Sequence, residues 1–327
     1  MFIGMNLHRH GSPCFSYPFE DIEANLDACV DLGCKMVRYN QSCGSDADIE
    51  TVKTVAGLCH AKGMQFFHCI DKYDEWIKKE YEDIERHFED CMFHIGSKLK
   101  GCVDIYQLFN EMDVWAMRGE IQNIILPGKD GREKGEYDCV LFEKAVLAVR
   151  GAIRGIRKAD KEAKICINFA WWHTALIYEM YRRGCDFDIV GLDWYSDCEE
   201  VSSIKKLIAD VNRNIPGKEF LICETNFWMH PMGRDPIEKQ NALKIKEIRD
   251  KNQAEWVAAF TKKVAGMKDP SFLGIIFYEL LDEPALEGDQ YGGEGHFGFI
   301  ECDRNGKNKR KKPAYDSLKS CVKELAL

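Results

Sequence analysis

The amino-acid sequence predicts a single (β/α)8 barrel, the α/β fold class in which eight parallel strands and eight helices alternate around a closed ring. Short apolar runs alternate with longer segments of helical spacing from one end of the chain to the other. No linker or shift in composition divides residues 1–327 into two domains. A length of 327 residues with 45% hydrophobic residues is sufficient for one large barrel and its core.

Eight apolar runs are the predicted strands. Each run is nearly continuous rather than alternating, as expected of parallel strands that are covered on both faces. The runs occupy residues 2–6, 35–39, 65–70, 103–109, 164–169, 188–194, 220–224 and 273–278.

Helical spacing fills the segments between these strands. Ile49, Val52, Ala56 and Cys59, for example, recur at intervals of three and four. A doubly wound open sheet would normally begin with a Gly-rich turn, but here the first strand continues into Asn6-Leu7-His8-Arg9-His10. The closed barrel is therefore favoured. Helices are expected near residues 20–32, 49–59, 80–99, 142–156, 173–183, 199–213, 256–267 and 313–325.

Composition excludes several classes of function. A net charge of -9 and a pI near 5.6 argue against nucleic acid as a partner. No apolar stretch approaches the roughly 20 residues needed to cross a bilayer, so no membrane segment is expected. The 15 cysteines include no Cys-x-x-Cys pair, and several of them fall in apolar runs, which is typical of reduced, buried thiols. The first strand follows Met1 directly and leaves no room for a signal peptide, so a cytoplasmic location is expected.

Three connections are longer than simple joining requires: residues 112–137, 226–240 and 280–312. They follow strands four, seven and eight, and long loops at the carboxyl ends of barrel strands are where substrate sites are built. The last connection ends in the basic run Lys307–Lys312, which is interpreted as a solvated turn with no functional role.

Glutamates end two of the predicted strands. Strand four ends in Asn110-Glu111 and strand seven in Cys223-Glu224. One such residue alone is as readily explained by a strand-end ion pair, but strands four and seven lie on roughly opposite sides of the ring. Two inward carboxyl groups there can flank one glycosidic bond, and a separation of about 5–5.5 Å leads to direct attack and retention of configuration. We predict that Glu111 is the acid/base, that Glu224 is the nucleophile and that Asn110 donates to the sugar 2-hydroxyl.

These residues resemble clan A of the glycoside hydrolases, whose members carry Asn-Glu at the end of strand four and Glu at the end of strand seven. The resemblance extends over essentially the whole chain. Three C-terminal stretches look most like families 39 and 5: Phe277–Leu280, His296–Ile300 and Lys312–Tyr315. The resemblance implies a retaining glycoside hydrolase that acts on β-linked oligosaccharides or glycosides, with no cofactor and no metal ion.

The same resemblance implies further site residues. Arg38, at the end of strand two, matches the arginine that keeps the nucleophile ionised, and His68 on strand three matches a substrate-binding histidine. Strand six reads Asp193-Trp194-Tyr195, where relatives often read His-x-Tyr with the tyrosine hydroxyl bonded to the nucleophile. Tyr195 fits that pattern, but Asp193 replaces the histidine, so a different local hydrogen-bond network is expected there.

Aromatic and polar residues crowd the predicted rim, where rings can stack on the apolar faces of sugars. Clan relatives often carry a tryptophan on strand eight, and here Phe277 or Tyr278 must take its place. Burial in the helix layer is the alternative reading, and it explains Trp256 well. The rim aromatics are Trp115, Trp171, Trp172, Trp194, Phe227, Trp228 and Tyr291, and the further candidates for sugar hydroxyls are His8, His10, Asn168, His173 and Glu279.

Three alternatives stay open at this point. His8-x-His10 after strand one matches the paired ligands of a metal-dependent barrel hydrolase, although the histidines expected on strands five and six are missing and only Asp282 is placed at strand eight. A barrel that binds carbohydrate without catalysis is the second alternative. The third is a sugar isomerase that holds a metal ion with Glu111, Asp193, Glu224 and Glu279.

Overall fold

Eight parallel strands close into a barrel in the computed structural model. It describes residues 1–8, 18–117, 129–196, 198–228, 242–286 and 294–327. Each strand pairs with the next along the chain, and the eighth pairs with the first, so the predicted fold class is confirmed. The strands are β1 (Phe2–His8), β2 (Met36–Asn40), β3 (Gln65–Ile70), β4 (Ile105–Leu108), β5 (Lys164–Ala170), β6 (Ile189–Asp193), β7 (Glu219–Glu224) and β8 (Phe272–Phe277).

Helices surround the barrel in the positions that the apolar spacing predicts, and two short helices, α3 and α5, add to them. No helix within the described ranges combines the length and the apolar composition that a membrane span requires. The helices are α1 (Ile22–Asp31), α2 (Asp46–Ala61), α3 (Tyr73–Lys78), α4 (Ile84–Leu99), α5 (Met112–Ala116), α6 (Cys139–Ala159), α7 (Thr174–Arg182), α8 (Val201–Asn214), α9 (Ala242–Ala265) and α10 (Pro313–Leu325).

The barrel interior is built in layers. Seven of the strands contribute to one apolar layer, since alternate residues of a strand point to the same side. Two residues further along β2, β4 and β5 the inward side chains are Arg38, Gln107 and Asn168, all of them buried. An apolar floor therefore supports a polar layer at the carboxyl ends of the strands. The members of the apolar layer are Met36, Phe67, Ile105, Cys166, Ile189, Leu221, Cys223 and Ile276.

The basic run at the end of the last long connection is not a purely solvated turn, and the interpretation from sequence was wrong there. Lys312 is buried, and its Nζ donates to Asp282 Oδ1 at 2.6 Å and to the carbonyl oxygen of His296 at 2.7 Å. Arg310 lies in the short strand β10 (Arg310–Lys311), which pairs with β9 (Ile300–Glu301). This hairpin ties the long connection after β8 to the start of α10.

Two glycines allow α4 and α6 to pack closely. A Cβ atom added at Gly151 would lie 2.1 Å from the carbonyl oxygen of Glu85, and one added at Gly155 would lie 2.4 Å from that of Glu89. Both contacts are with backbone, which cannot move aside as a side chain can. The absence of a side chain at Gly151 and Gly155 therefore sets the distance between the two helices.

We predict that Gly151→Ala destabilises the protein by about 1–3 kcal/mol, because the new methyl group forces α4 and α6 apart. Gly57→Ala is the matched control, since Gly57 lies in the exposed face of α2 with no atom within 4 Å of an added Cβ. That control is expected to stabilise by roughly 0.5–1 kcal/mol. Chemical unfolding of the wild type, Gly151→Ala and Gly57→Ala measures both changes in the free energy of unfolding. An unchanged free energy of unfolding in Gly151→Ala would contradict the close packing.

Candidate active site

The carboxyl ends of the strands surround a pocket of about 280 Å³. Both glutamates predicted from the sequence line it. A larger groove, about 650 Å³, lies on the outer surface beside α9 and α10, away from every strand end. The inner pocket is therefore the candidate site. Its lining residues are His8, Asn40, Asp71, Asn110, Glu111, Ala170, Trp171, His173, Asp193, Tyr195, Cys198, Glu224, Trp228 and Tyr278.

An irregularity in β7 turns Glu224 into this pocket. Leu221 and Cys223 belong to the inner apolar layer, so strict alternation would point Glu224 outward to the helices. The register between β6 and β7 shifts by one residue at this point: Leu192 pairs with Ile222, but Asp193 pairs with Glu224. A bulge of this kind re-aims a side chain beside a site, and here the carboxylate of Glu224 reaches the barrel mouth.

Glu224 is held by two donors. Its Oε1 lies 2.9 Å from Arg38 Nη1, and its Oε2 accepts a hydrogen bond of 2.9 Å from the Tyr195 hydroxyl. The residue is 5% exposed, and Arg38 is fully buried. Hydrogen bonds to the charged form and an adjacent cation both favour an ionised carboxylate. The contacts predicted from sequence for Arg38 and Tyr195 are both present.

Amides from β1 and β4 fix the guanidinium of Arg38. Its Nε donates to Gln107 Oε1 at 2.9 Å and its Nη1 to Asn6 Oδ1 at 2.8 Å. Burial alone would lower the pKa of this group, but the Cys69 thiol and the Glu224 carboxylate beside it hold that pKa well above its ordinary value. Arg38 is therefore a permanent charge in a fixed orientation.

Asn110 lines the pocket with its amide already oriented. Its Oδ1 accepts from Arg38 Nη2 at 2.8 Å, from Gln107 Nε2 at 2.9 Å and from Asn168 Nδ2 at 2.9 Å. Three donors on the oxygen leave the nitrogen of the amide as the end that can donate to a ligand. This orientation fits the donor function that the sequence predicts for Asn110.

Glu111 lines the pocket from a strained backbone position. It adopts a left-handed conformation with φ 45° and ψ 45°, and Phe109 two residues earlier also has a positive φ of 67°. Such a conformation costs a non-glycine residue on the order of 1–3 kcal/mol and persists only where the surroundings enforce it. One restraint is a hydrogen bond of 3.1 Å from the Glu111 backbone N–H to Asn168 Oδ1.

Asn168 lies behind the pocket wall rather than in it. Its Nδ2 donates to Asn110 Oδ1 and, at 2.6 Å, to Asp193 Oδ2, while its Oδ1 accepts from Glu111. The amide is 5% exposed and both of its ends are engaged. The expectation that Asn168 binds a sugar hydroxyl is therefore corrected: it holds its neighbours in position.

Asp193 is a third carboxyl group at the pocket wall, 2% exposed. Burial, followed by the negative charges of Glu224 and Glu111, raises its pKa well above the usual range, against the opposing effect of Arg38. A buried carboxyl beside two others is most stable when it keeps its proton. Burial and the neighbouring carboxylates therefore favour the protonated form of Asp193.

The sequence of this region matches a known family. The model of glycosyl hydrolase family 53 matches residues 104–296, more than half of the chain, and this span includes both pocket glutamates. The chain belongs to glycosyl hydrolase family 53. It is an O-glycosyl hydrolase of clan A, as the motifs at the ends of strands four and seven led us to expect. The finer likeness to families 39 and 5 is not supported, since the family that matches is family 53.

Solved structures show the same fold as this family 53 hydrolase. The family 1 β-glucosidase from Thermotoga maritima aligns with 100% of this chain and 98% of its own, at 15% identity and a TM-score of 0.72. The same enzyme in complex with castanospermine gives 16% identity and 0.73, with the same coverage. A β-glucosidase from Exiguobacterium marinum aligns with 99% of this chain and 98% of its own, at 12% identity and 0.70. Among curated proteins, none shows significant sequence similarity.

His68 does not face the pocket of the family 53 hydrolase. Phe67 and Cys69 occupy the inward positions of β3, so His68 points to the opposite side and is fully buried. Its Nε2 lies 2.9 Å from the carbonyl oxygen of Gln41, and burial lowers its pKa to about 4. The expectation that His68 binds substrate is therefore wrong, and it is a neutral residue of the helix-facing layer.

Aromatic rings form one side of the pocket. Trp171 and Trp228 line it as expected. The Trp228 ring packs edge-on against Tyr195 at 5.7 Å between centroids, and Phe297 stacks on Tyr195 at 5.3 Å. Phe297 also contacts Tyr278 at 5.9 Å. This support from Phe297 comes from a loop after β8, and nothing in the sequence spacing indicated it.

Other predicted rim aromatics lie elsewhere. Trp172 and Trp194 are buried against each other, with 6.2 Å between their centroids, and so belong to the core. Trp115 packs against the core and Phe227 is half-buried. Tyr291 lies outside the described residues.

A second cluster of titratable groups adjoins the pocket at β1 and β8. His8 Nε2 lies 2.8 Å from the Tyr278 hydroxyl, 3.1 Å from Glu279 Oε2 and 3.3 Å from Glu283 Oε1. His8 and Tyr278 reach the pocket, whereas Glu279 lies beneath its wall. The sequence predicted His8, Tyr278 and Glu279 here but missed Glu283, because it follows the strand by six residues.

Within the part of the chain that the structure describes, the four ligands of the isomerase alternative are not gathered into one site. Among the described residues, the group that could hold a cation is His8, Glu279 and Glu283, which contains neither Glu111 nor Glu224. Asp282 is paired with Lys312. His10 lies outside the described residues. His173 does line the pocket, and its Nδ1 is engaged with Asp113 Oδ2 at 2.8 Å.

We predict that Tyr195→Phe lowers kcat/KM of the family 53 hydrolase by about ten- to a hundred-fold, because a hydrogen bond to a charged group contributes roughly 1.5–3 kcal/mol. Tyr178→Phe is the matched control, since the Tyr178 hydroxyl also donates to a carboxylate, Asp210 Oδ2 at 2.7 Å, but on α7 outside the barrel. The control should keep full activity. Equal losses in the two variants would show that the Tyr195–Glu224 contact has no special importance.

Proposed function

We propose that this chain is a retaining β-glycosidase in which Glu111 is the acid/base and Glu224 is the nucleophile. One observation supports the assignment above all: both carboxyl groups line one pocket, and Glu224 is held there by the buried Arg38. A carboxylate paired with a permanent cation stays ionised, as a nucleophile must. The acid/base function then falls to Glu111, the other glutamate that lines the pocket, at the end of strand four.

The first step forms a glycosyl-enzyme ester. The Glu224 carboxylate attacks the anomeric carbon while the bond from that carbon to the glycosidic oxygen breaks. Glu111 gives its proton to the departing oxygen, so the leaving group departs as a neutral alcohol. The hydrogen bonds from Arg38 and Tyr195 hold both Glu224 oxygens on the pocket side of β7, and they orient one of them for attack.

The second step is the reverse of the first, with water in place of the alcohol, and it hydrolyses the glycosyl-enzyme ester. Glu111, now a carboxylate, removes a proton from water, and the hydroxide attacks the anomeric carbon as the ester bond to Glu224 breaks. Two inversions at one carbon return the β configuration. The Glu224 carboxylate and the Glu111 proton are restored together, and no cofactor enters either step.

Substrate recognition is proposed to rest on two features of the pocket. The oriented amide nitrogen of Asn110 would donate to the 2-hydroxyl of the bound sugar, a contact that strengthens as charge develops on the ring. Trp171 and Trp228 would stack on the apolar faces of a β-linked oligosaccharide or small glycoside. The whole chain is proposed to act as one catalytic domain.

A reducing compartment is the proposed location. All fourteen cysteines within the described residues are free thiols, and ten of them are buried. Burial raises the pKa of the thiols of Cys59 and Cys185 to about 12, which keeps them protonated and slow to oxidise. This pattern is typical of cytoplasmic proteins, where thiols stay reduced.

We predict that Glu111→Ala lowers kcat/KM for a β-glycoside with a poor leaving group by about 10²–10⁴-fold, the usual contribution of general acid catalysis. A dinitrophenyl glycoside should lose far less, because its leaving group departs without a proton. Glu162→Ala, in an exposed turn before β5, serves as the control and should match the wild type on both. Equal losses on the two substrates would argue against Glu111 as the acid.

We also predict that the first sugar released from a β-glycoside is the β anomer, because two displacements at one carbon restore the starting configuration. Proton NMR during the first minutes of hydrolysis distinguishes the anomers before mutarotation mixes them. Release of the α anomer first would mean that water attacks directly, and Glu224 would then be a base and not a nucleophile.

A further inference from the structure

We propose that Asp193 is a positioning residue that holds the acid/base Glu111 in place through the amide of Asn168. The inference rests on the proposed function of Glu111 and adds a residue to it. Asp193 occupies the position on strand six where clan relatives often carry a histidine.

A continuous chain of hydrogen bonds connects the two residues. Asn168 Nδ2 donates to Asp193 Oδ2 at 2.6 Å, and Asn168 Oδ1 accepts from the backbone N–H of Glu111 at 3.1 Å. The residues come from β6, from β5 and from the end of β4, so the chain spans three adjacent strands. Asp193 and Asn168 are both at least nine-tenths buried, so bulk water does not replace these bonds.

Asp193 and Asn110 both fix the direction in which the Asn168 amide faces, because Asn168 Nδ2 donates to Asp193 Oδ2 and to Asn110 Oδ1. An asparagine side chain can rotate by half a turn and exchange its oxygen and nitrogen with little change in shape. The Asp193 oxygen requires the nitrogen on its side, and this puts the oxygen of the amide opposite the Glu111 N–H. A flipped amide would place an N–H against that N–H and would release the left-handed turn that aims the Glu111 side chain.

A neutral carboxyl suits this position. Asp193 faces Glu224 and Cys223 of β7, Glu111 after β4 and Arg38 of β2, and three of these four groups are acidic. Burial and the two carboxylates raise the pKa of Asp193 well above its usual range. Since Oδ2 accepts from Asn168, the proton lies on Oδ1, which has no partner among the described residues. The carbonyl oxygen thus orients the amide without adding a negative charge beside Glu111 and Glu224.

The test compares Asp193→Ala with Asp193→Asn on aryl β-glycosides that differ in leaving group. Asp193→Ala removes the acceptor, so we expect kcat/KM to fall about 10²-fold for a poor leaving group and less than roughly 5-fold for a dinitrophenyl one. Asp193→Asn keeps a carbonyl oxygen and no charge, and it should recover most of that loss. Equal losses on both leaving groups in Asp193→Ala, or no recovery in Asp193→Asn, overturns the proposal.

Asn168→Ala provides a second route that does not depend on the folding of Asp193→Ala. It breaks the same chain one bond closer to Glu111 and should show the same dependence on leaving group. Asp193→Asn in the Asn168→Ala background should then cause little further loss, because residues that act through one another are not additive. If the losses of kcat/KM in the double variant are fully additive, Asp193 does not act through Asn168 and the proposal is overturned.

Two readouts separate this proposal from the function on which it rests. Glu111→Ala run on the same glycosides is the reference: if it shows no dependence on leaving group, both proposals fail, and if it shows one that Asp193→Ala lacks, only the positioning proposal fails. The difference infrared spectrum of wild type minus Asp193→Asn should contain the carbonyl band of a protonated carboxylic acid at neutral pH. Carboxylate bands in its place, with both limbs of the pH profile displaced to lower pH in Asp193→Asn, would show that Asp193 is ionised and would overturn its neutral form.

Discussion

The ion pair between Arg38 and Glu224 is the interaction on which the site depends. Both side chains are buried, and the atoms lie 2.9 Å apart. Loss of one partner from such a pair typically costs about 3–5 kcal/mol, because the other charge stays behind without compensation. The position of Glu224 is therefore coupled to the stability of the barrel mouth. The hydrogen bonds from the amides around Arg38 offset part of the cost of burying its charge.

Most of the side chains that hydrogen-bond to Arg38 and to the Glu111 backbone are amides. Asn6, Gln107, Asn110 and Asn168 surround Arg38 and the Glu111 backbone, and each offers a donor and an acceptor without a charge. Charged residues in their place would add a further charge beside Glu111 and Glu224. The polar layer above the apolar floor thus orients Arg38 and Glu111 without adding charge to the site. A protonated Asp193 likewise orients Asn168 without adding a charge.

The sequence was sufficient for the architecture and for the two glutamates. Continuous apolar runs marked all eight strands to within two residues at either end, because buried parallel strands need no polar face. Arg38 and Tyr195 were placed through the clan resemblance, and the structure brings both of them to Glu224. Long-range pairing of this kind depends on neighbouring strands, which a single sequence does not specify.

The sequence predicted the direction of individual side chains less well than it predicted the strands. His68 follows the two-residue alternation of β3, and counting from the inward Phe67 would have placed it correctly. Glu224 breaks the alternation, since a bulge in β7 turns it inward, and no local pattern in the sequence marks that bulge. Asn168 was predicted to contact the sugar because its hydrogen-bond partners, which come from two other strands, could not be known.

In the proposed mechanism the Glu224 carboxylate attacks the anomeric carbon. A mechanism-based fluoroglycoside of each sugar configuration, followed by peptide mapping of the inactivated protein, tests it directly. We expect one sugar per chain, bound through an ester to the peptide that contains Glu224. A label on any other residue, or complete hydrolysis of the probe with no label at any stage, would contradict it.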